Sequence, residues 1–119
     1  MIAYTIGDSE RRPWGTWEVL AVGEGYIIKR IVVTPHQKLS LQSHNYRSEH
    51  WVIVMGTGTV TLGDRIIEVP QDTHIYIERM QKHRMENRTQ DPVVFIEVQT
   101  GDTLDESDIV RYQDDYGRV

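Results

Sequence analysis

Five histidines, at positions 36, 44, 50, 74 and 83, are the side chains of this sequence best suited to bind a metal or move a proton. A lone histidine in a strand-rich protein is more often structural or exposed than a ligand, so grouping decides. In Leu39-Ser40-Leu41-Gln42-Ser43-His44 the alternation puts Leu39 and Leu41 on one strand face, and Gln42 and His44 project together from the other. Glu49 follows five residues after His44, across the polar bend Asn45-Tyr46-Arg47-Ser48, and His83 opens His83-Arg84-Met85-Glu86-Asn87 far downstream. Two imidazoles, one carboxylate and one amide oxygen form a mixed nitrogen and oxygen set that suits Zn²⁺, Mn²⁺, Fe²⁺, Co²⁺ or Ni²⁺. Spacing alone leaves open both a metal site and an ordinary structural role for these side chains.

Most of the chain reads as strands that would position these groups. Tyr26 to Val33 (YIIKRIVV) is rich in β-branched residues, and Trp51 to Met55 (WVIVM) is a short apolar run ending at Gly56. Thr59 to Leu62 alternates, Gly63-Asp64 marks a tight hairpin turn, and Arg65 to Val69 returns. Ile75 to Ile77 and Val93 to Gln99 add two more strands, while Pro35, Pro70 and Pro92 fall between runs. Roughly seven to nine short strands joined by turns predict an all-β antiparallel sandwich or barrel. The one helical signal is Asp105-Glu106-Ser107-Asp108, which is expected to cap a short C-terminal helical turn through Tyr112.

The chain has 119 residues, about one domain, with no repeat, linker or low-complexity tract. Thirteen Lys and Arg against 18 Asp and Glu leave a net charge of -5, which argues against non-specific nucleic-acid binding. There is no cysteine, so disulfides, thiolate ligands and a cysteine nucleophile are excluded. MIAYTIGDSE lacks the basic region and apolar core of a signal peptide, and no apolar run approaches the ~20 residues that span a bilayer. The expectation is a soluble cytoplasmic protein with no membrane or nucleic-acid partner.

At this point the residues resemble a known family. Pro35 to Gly56 resembles the first cupin motif, and Glu78 to Asn87 the second. Within cupins the sequence is similar to the isomerase domain of type II phosphomannose isomerases, usually fused to a mannose-1-phosphate guanylyltransferase. The blocks that carry this likeness are Arg12-Pro13-Trp14-Gly15; Leu39 to His44; Arg47-Ser48-Glu49-His50-Trp51; His83 to Asn87; Ile96-Glu97-Val98-Gln99-Thr100-Gly101; and Asp108-Ile109-Val110-Arg111 with Asp115-Tyr116-Gly117-Arg118.

The resemblance implies one cupin domain over residues 1–119, a conical β-barrel (jelly roll) holding a single divalent metal, zinc first, with Mn, Co, Ni and Fe as alternatives. Its ligands would be Gln42, His44, Glu49 and His83. Three departures from the family pattern bear on turns: His36 replaces the glycine after Pro35, and Glu78 and Met80 replace the proline and glycine of the second motif. Asn45 stands where a further histidine is usual. No counterpart of the guanylyltransferase domain or its glycine-rich loop is seen, so nucleotide transfer is not expected.

The activity implied is aldose-ketose isomerisation, mannose 6-phosphate to fructose 6-phosphate. Arg47 and His50 are the expected catalytic residues, although alternation from Glu49 would turn His50 outward unless the strand start is bulged. Lys38, Arg84, Arg111 and Arg118 are the expected phosphate-binding residues. Trp14, Trp17 and Trp51 read as packing, and Glu97 with Gln99 reads equally as barrel lining or as polar exterior. Two other functions compete: a non-catalytic cupin that binds a sugar or sugar phosphate, and a different metal-dependent cupin enzyme. Dioxygenase cupins commonly carry histidine at the position of Gln42, which counts against them. A homodimer paired through sheet edges is also expected from the likeness.

Overall fold

The computed structural model describes residues 4–116. Eleven strands form among them: β1 (Ser9–Arg12), β2 (Gly15–Gly23), β3 (Tyr26–Val33), β4 (Leu41–Ser43), β5 (Arg47–Met55), β6 (Gly58–Leu62), β7 (Arg65–Val69), β8 (His74–Ile77), β9 (His83–Glu86), β10 (Val93–Gly101) and β11 (Val110–Gln113). They build two antiparallel sheets, ordered β1-β2-β3-β10-β5-β8 and β11-β4-β9-β6-β7.

The period-two pattern decides which side chains face inward. In β3, Ile27, Lys29, Ile31 and Val33 are buried; in β10, Val93, Phe95, Glu97 and Gln99; in β5, Arg47, Glu49, Trp51 and Ile53. The register lines these residues up in rows across the sheet. Glu97 lies between Lys29 and Trp51, and Gln99 between Ile27 and Glu49. One end of the interior is therefore apolar, built on Phe95, Ile53, Ile31 and Val33, and the other carries charged and amide groups.

Turns hold the strand ends in place. Gly56 ends β5 at φ 80°, where a Cβ would run into the Pro92 carbonyl oxygen, so only glycine lets the two chains approach. His36 and Met80, the two residues standing where the family pattern has glycine, keep left-handed backbones at φ 61° and 65°. Both turns therefore carry a steric cost that glycine would not.

The C-terminal helical turn does not form. Asp105 Oδ1 accepts the Ser107 N–H, and the Asp108 N–H donates to the Asp105 carbonyl, which makes a tight turn. The chain then extends as β11, because Val110 and Arg111 find open ladder positions opposite Ser43 and Gln42 on β4. Among the described residues no helix is long and apolar enough to cross a membrane.

Candidate metal centre

Three side chains from three chain segments converge at the polar end of the interior. His44 follows β4, Glu49 lies in β5 and His83 opens β9, and they are 3%, 1% and 2% exposed. One donor atom from each lies within 4.8 Å of the others. His44 Nε2 is 3.2 Å from Glu49 Oε2, and His83 Nε2 is 3.9 Å from Glu49 Oε1.

Backbone carbonyls set both imidazole tautomers. His44 Nδ1–H donates to the Asp108 carbonyl at 2.6 Å, and His83 Nδ1–H donates to the Gln81 carbonyl at 2.9 Å. Each ring therefore turns an Nε2 lone pair toward Glu49, the arrangement that outer hydrogen bonds impose on metal-binding histidines. The Asp108 carboxylate fixes the bend around His44 by accepting the Asn45 N–H at 2.8 Å and the Tyr46 N–H at 3.0 Å. The segment that sequence reading assigns to a helix cap is instead the latch of the first histidine.

The electrostatics favour a cation at this point. Burial pushes His44 down to about 4 and lowers His83 as well, so both rings are neutral at neutral pH. Burial alone would raise Glu49, but the Arg47 guanidinium overrides it and holds the carboxyl well below the usual range. The contact between His44 and Glu49 is consequently not an ion pair: two lone-pair donors face each other. Arg47 bridges them, donating from Nε to Glu49 Oε2 at 2.8 Å and from Nη2 to His44 Nε2 at 3.2 Å. A guanidinium thus stands in as the cation, and two neutral imidazoles with one carboxylate fit a divalent ion by donor chemistry.

Behind Glu49 lies a second carboxyl. Trp51 Nε1 donates to Glu49 Oε1 at 2.9 Å and to Glu97 Oε1 at 3.1 Å, and Gln99 Nε2 donates to Glu97 Oε2 at 2.8 Å. Burial and the neighbouring Glu49 charge raise Glu97 to about 8. Glu49 keeps the charge and Glu97 keeps the proton. The side-chain oxygen of Gln99, Oε1, is buried with no hydrogen-bond partner.

A cavity of about 150 Å³ opens beside the cluster, lined by Gln42, His44, Arg47, Glu97, Lys29 and Arg111, with Trp14 and Trp17 in its walls. Gln42 faces His83 across the β4–β9 ladder, and its amide N–H groups donate to the carbonyl and hydroxyl of Ser40. The structure therefore brings His44, Glu49 and His83 together and sets Gln42 alongside.

Several expected site residues lie elsewhere. His50 is on the outer face, because the alternation of β5 runs unbroken through Glu49, His50 and Trp51. Its ring stacks on exposed His74, with Nδ1 3.2 Å from His74 Nε2. Arg84 is not free for phosphate: Nε donates to the Leu39 carbonyl at 2.8 Å and Nη1 and Nη2 reach Gln113, clamping β11 to the barrel. Lys38 pairs with Asp115 at 3.5 Å, away from the cavity lining. Arg118 lies outside the described residues. Arg47 and Arg111 do line the cavity.

Sequence reading assigns no role to three residues of the site. Lys29 is a charge on the inward face of an otherwise apolar strand, a signal present in the alternation Ile27, Lys29, Ile31, Val33. Glu97 and Asp108 fall inside blocks of the family likeness but are given no role there: alternation leaves Glu97 between two equal readings, and Asp108 acts through a contact 64 residues away in sequence.

Residues 4–114 match the family described as Mannose-6-phosphate isomerase C-terminal. The xanthan biosynthesis protein XanB of Xanthomonas campestris pv. campestris (strain B100) is 44% identical over 108 residues, covering 91% of this chain and 23% of that protein. The mannose-1-phosphate guanylyltransferase ManC of Salmonella typhimurium is 44% identical over 108 residues, covering 91% and 22%. The chain thus spans less than a quarter of the length of the curated relatives it matches. Among solved structures, a double-stranded β-helix protein of Klebsiella pneumoniae aligns at TM-score 0.71 and 13% identity, over 94% of this chain and 90% of that one. Oxalate decarboxylase of Lactobacillus farciminis aligns at TM-score 0.75 and 15% identity, over 87% of this chain and 33% of that one. Both share the fold, the double-stranded β-helix of cupins.

Proposed function

The chain belongs to the Mannose-6-phosphate isomerase C-terminal family, and from that membership we propose that it is a metal-dependent sugar-phosphate isomerase converting mannose 6-phosphate to fructose 6-phosphate. The observation that carries the reading is the convergence of two tautomer-fixed Nε2 lone pairs and the ionised Glu49 carboxylate beside a cavity. His44, Glu49 and His83 would hold the cation, zinc first among the candidates, with the Gln42 amide oxygen as a fourth donor. When bound, such an ion supplies Lewis-acid stabilisation of the sugar oxygens that gain negative charge.

The chain's own groups do the rest. Isomerisation takes a proton from C2 and returns one to C1, while a proton moves from the C2 hydroxyl to the C1 oxygen. With His50 outside, Glu97 is one of two carboxyls on the cavity wall, and its ionised form, the minor one at neutral pH but the stronger base for being raised to about 8, is the group to take and return the carbon-bound proton. Arg47 keeps Glu49 ionised and presents a fixed cation to the sugar oxygens. Trp14 and Trp17 exclude water from the cavity wall.

Proton exchange at C2 of mannose 6-phosphate in D₂O, followed by NMR, tests this directly. Metal-loaded protein should exchange the proton, and His44→Ala, Glu49→Gln and His83→Ala should each abolish exchange. Persistence of exchange in those variants would refute the mechanism. Tight binding of mannose 6-phosphate without exchange would replace catalysis by a binding role.

A further inference from the structure

Lys29 is a buried ammonium that no carboxylate among the described residues contacts directly, although Glu97, Glu106 and Glu49 act on it from a distance. It stands on the inward face of β3 and is 6% exposed. Its Nζ rests 4.1 Å from the Tyr4 ring centroid and 4.3 Å from that of Trp17. Among the described residues it makes no ion pair. The two carboxyls on the cavity wall are engaged elsewhere: Glu97, opposite Lys29 in the ladder, accepts from Trp51 and Gln99, and Glu106 lies 3.6 Å from Arg12. Two aromatic faces recover only part of what it costs to take an ammonium out of water. Tyr4 adds a second unsatisfied group, a buried hydroxyl with no hydrogen-bond partner.

The position of this charge matches an elongated anionic ligand. Lys29 and Glu49 are separated by two inter-strand spacings, through Glu97 and Trp51, and by two residues along the strand. Their backbones therefore lie about 12 Å apart. A hexose 6-phosphate carries its phosphate at the end of the molecule remote from C1 and C2. We propose that Lys29 is the phosphate-binding residue of the cavity, holding the phosphate of the substrate at the aromatic end while C1 and C2 face the His44–Glu49–His83 cluster. This rests on the sugar-phosphate reading above. It assigns to Lys29 the role expected of Lys38 and Arg84, which are engaged elsewhere.

Calorimetric titration of the full chain with mannose 6-phosphate, mannose and inorganic phosphate tests the assignment. The wild type should bind mannose 6-phosphate at least 100-fold more tightly than mannose. Lys29→Gln should reduce that preference below tenfold and change mannose binding less than threefold, and Lys29→Arg should keep most of it. A preference that survives in Lys29→Gln overturns the proposal, as does a wild type that binds the two sugars alike. Should Lys29→Gln fail to fold, the ¹⁵N shift of the Lys29 ammonium in wild-type protein decides. It should move and saturate with inorganic phosphate, and an unmoved signal overturns the assignment. The two readings fail separately. A Lys29-dependent phosphate preference without C2 exchange refutes catalysis alone, whereas exchange with an unaltered preference in Lys29→Gln refutes the Lys29 role alone.

Discussion

Replacing Glu97 with glutamine should stabilise the metal-free protein, and by an amount that grows with pH. In the folded chain burial and the Glu49 charge raise Glu97 to about 8, against 4.5 ordinarily. A group raised in this way contributes stability that is fully present below 4.5 and is lost as pH rises toward 8. Above 4.5 the unfolded chain ionises Glu97, and folding must return the proton at 1.36 kcal/mol for each pH unit. That cost is about 1 kcal/mol at pH 5 and about 4 kcal/mol at pH 7.5. Glutamine mimics the protonated carboxyl and has no such cost. Its oxygen still accepts from Trp51 Nε1, and its N–H group can donate to the Gln99 oxygen that now lacks a partner once that amide turns over. Urea unfolding of wild type and Glu97→Gln, both free of metal, should show the variant's advantage rising by about 3 kcal/mol between pH 5 and pH 7.5. Comparing the two proteins cancels the opposite contribution of His44, which is lost as pH falls from 6.5 toward about 4. An advantage that is flat with pH would refute the division of charge and proton between Glu49 and Glu97.

Glu49→Gln should lower the stability of the metal-free protein by about 3–5 kcal/mol in urea, because it leaves the Arg47 guanidinium buried without its carboxylate. A loss below 1 kcal/mol would mean that Arg47 reaches water. His50→Ala combined with His74→Ala should leave metal stoichiometry unchanged and C2 exchange within twofold of wild type, since both rings lie on the outer face; a tenfold loss would return His50 to the site. Met80→Gly should raise stability in urea by about 0.5–1 kcal/mol, because an exposed side chain at φ 65° is exchanged for a residue that tolerates it. Destabilisation there would show that the turn depends on the methionine side chain.

The strands that alternate cleanly were legible in the sequence. Tyr26 to Val33 forms β3 with the bounds its pattern predicts, and the Gly63-Asp64 turn joins β6 to β7. The polar start of β5 was not, because Arg47-Ser48-Glu49-His50 lacks the apolar run that marks Trp51 to Met55. Arg47 and Glu49 are carried inside by their pairing with each other and by the β10 ladder, not by hydrophobicity. The same alternation that places Glu49 inward sends His50 outward, so the strand period was a better guide than block membership. The false helix has a related cause. Asp105 and Ser107 supply cap chemistry, but Val110 and Arg111 gain ladder bonds on β4 that a free helix end would lack. The fit of the two imidazoles depends on the Asp108 and Gln81 carbonyls, contacts that only the closed barrel creates.

X-ray absorption at the zinc edge, on protein loaded with one equivalent of zinc, tests the metal centre most directly. Two imidazole nitrogens at about 2.0–2.1 Å with oxygen donors completing the shell are predicted, the imidazole signal falling by half in either His44→Ala or His83→Ala. A bound ion without imidazole scattering, or a protein that retains no zinc after desalting, would contradict the account.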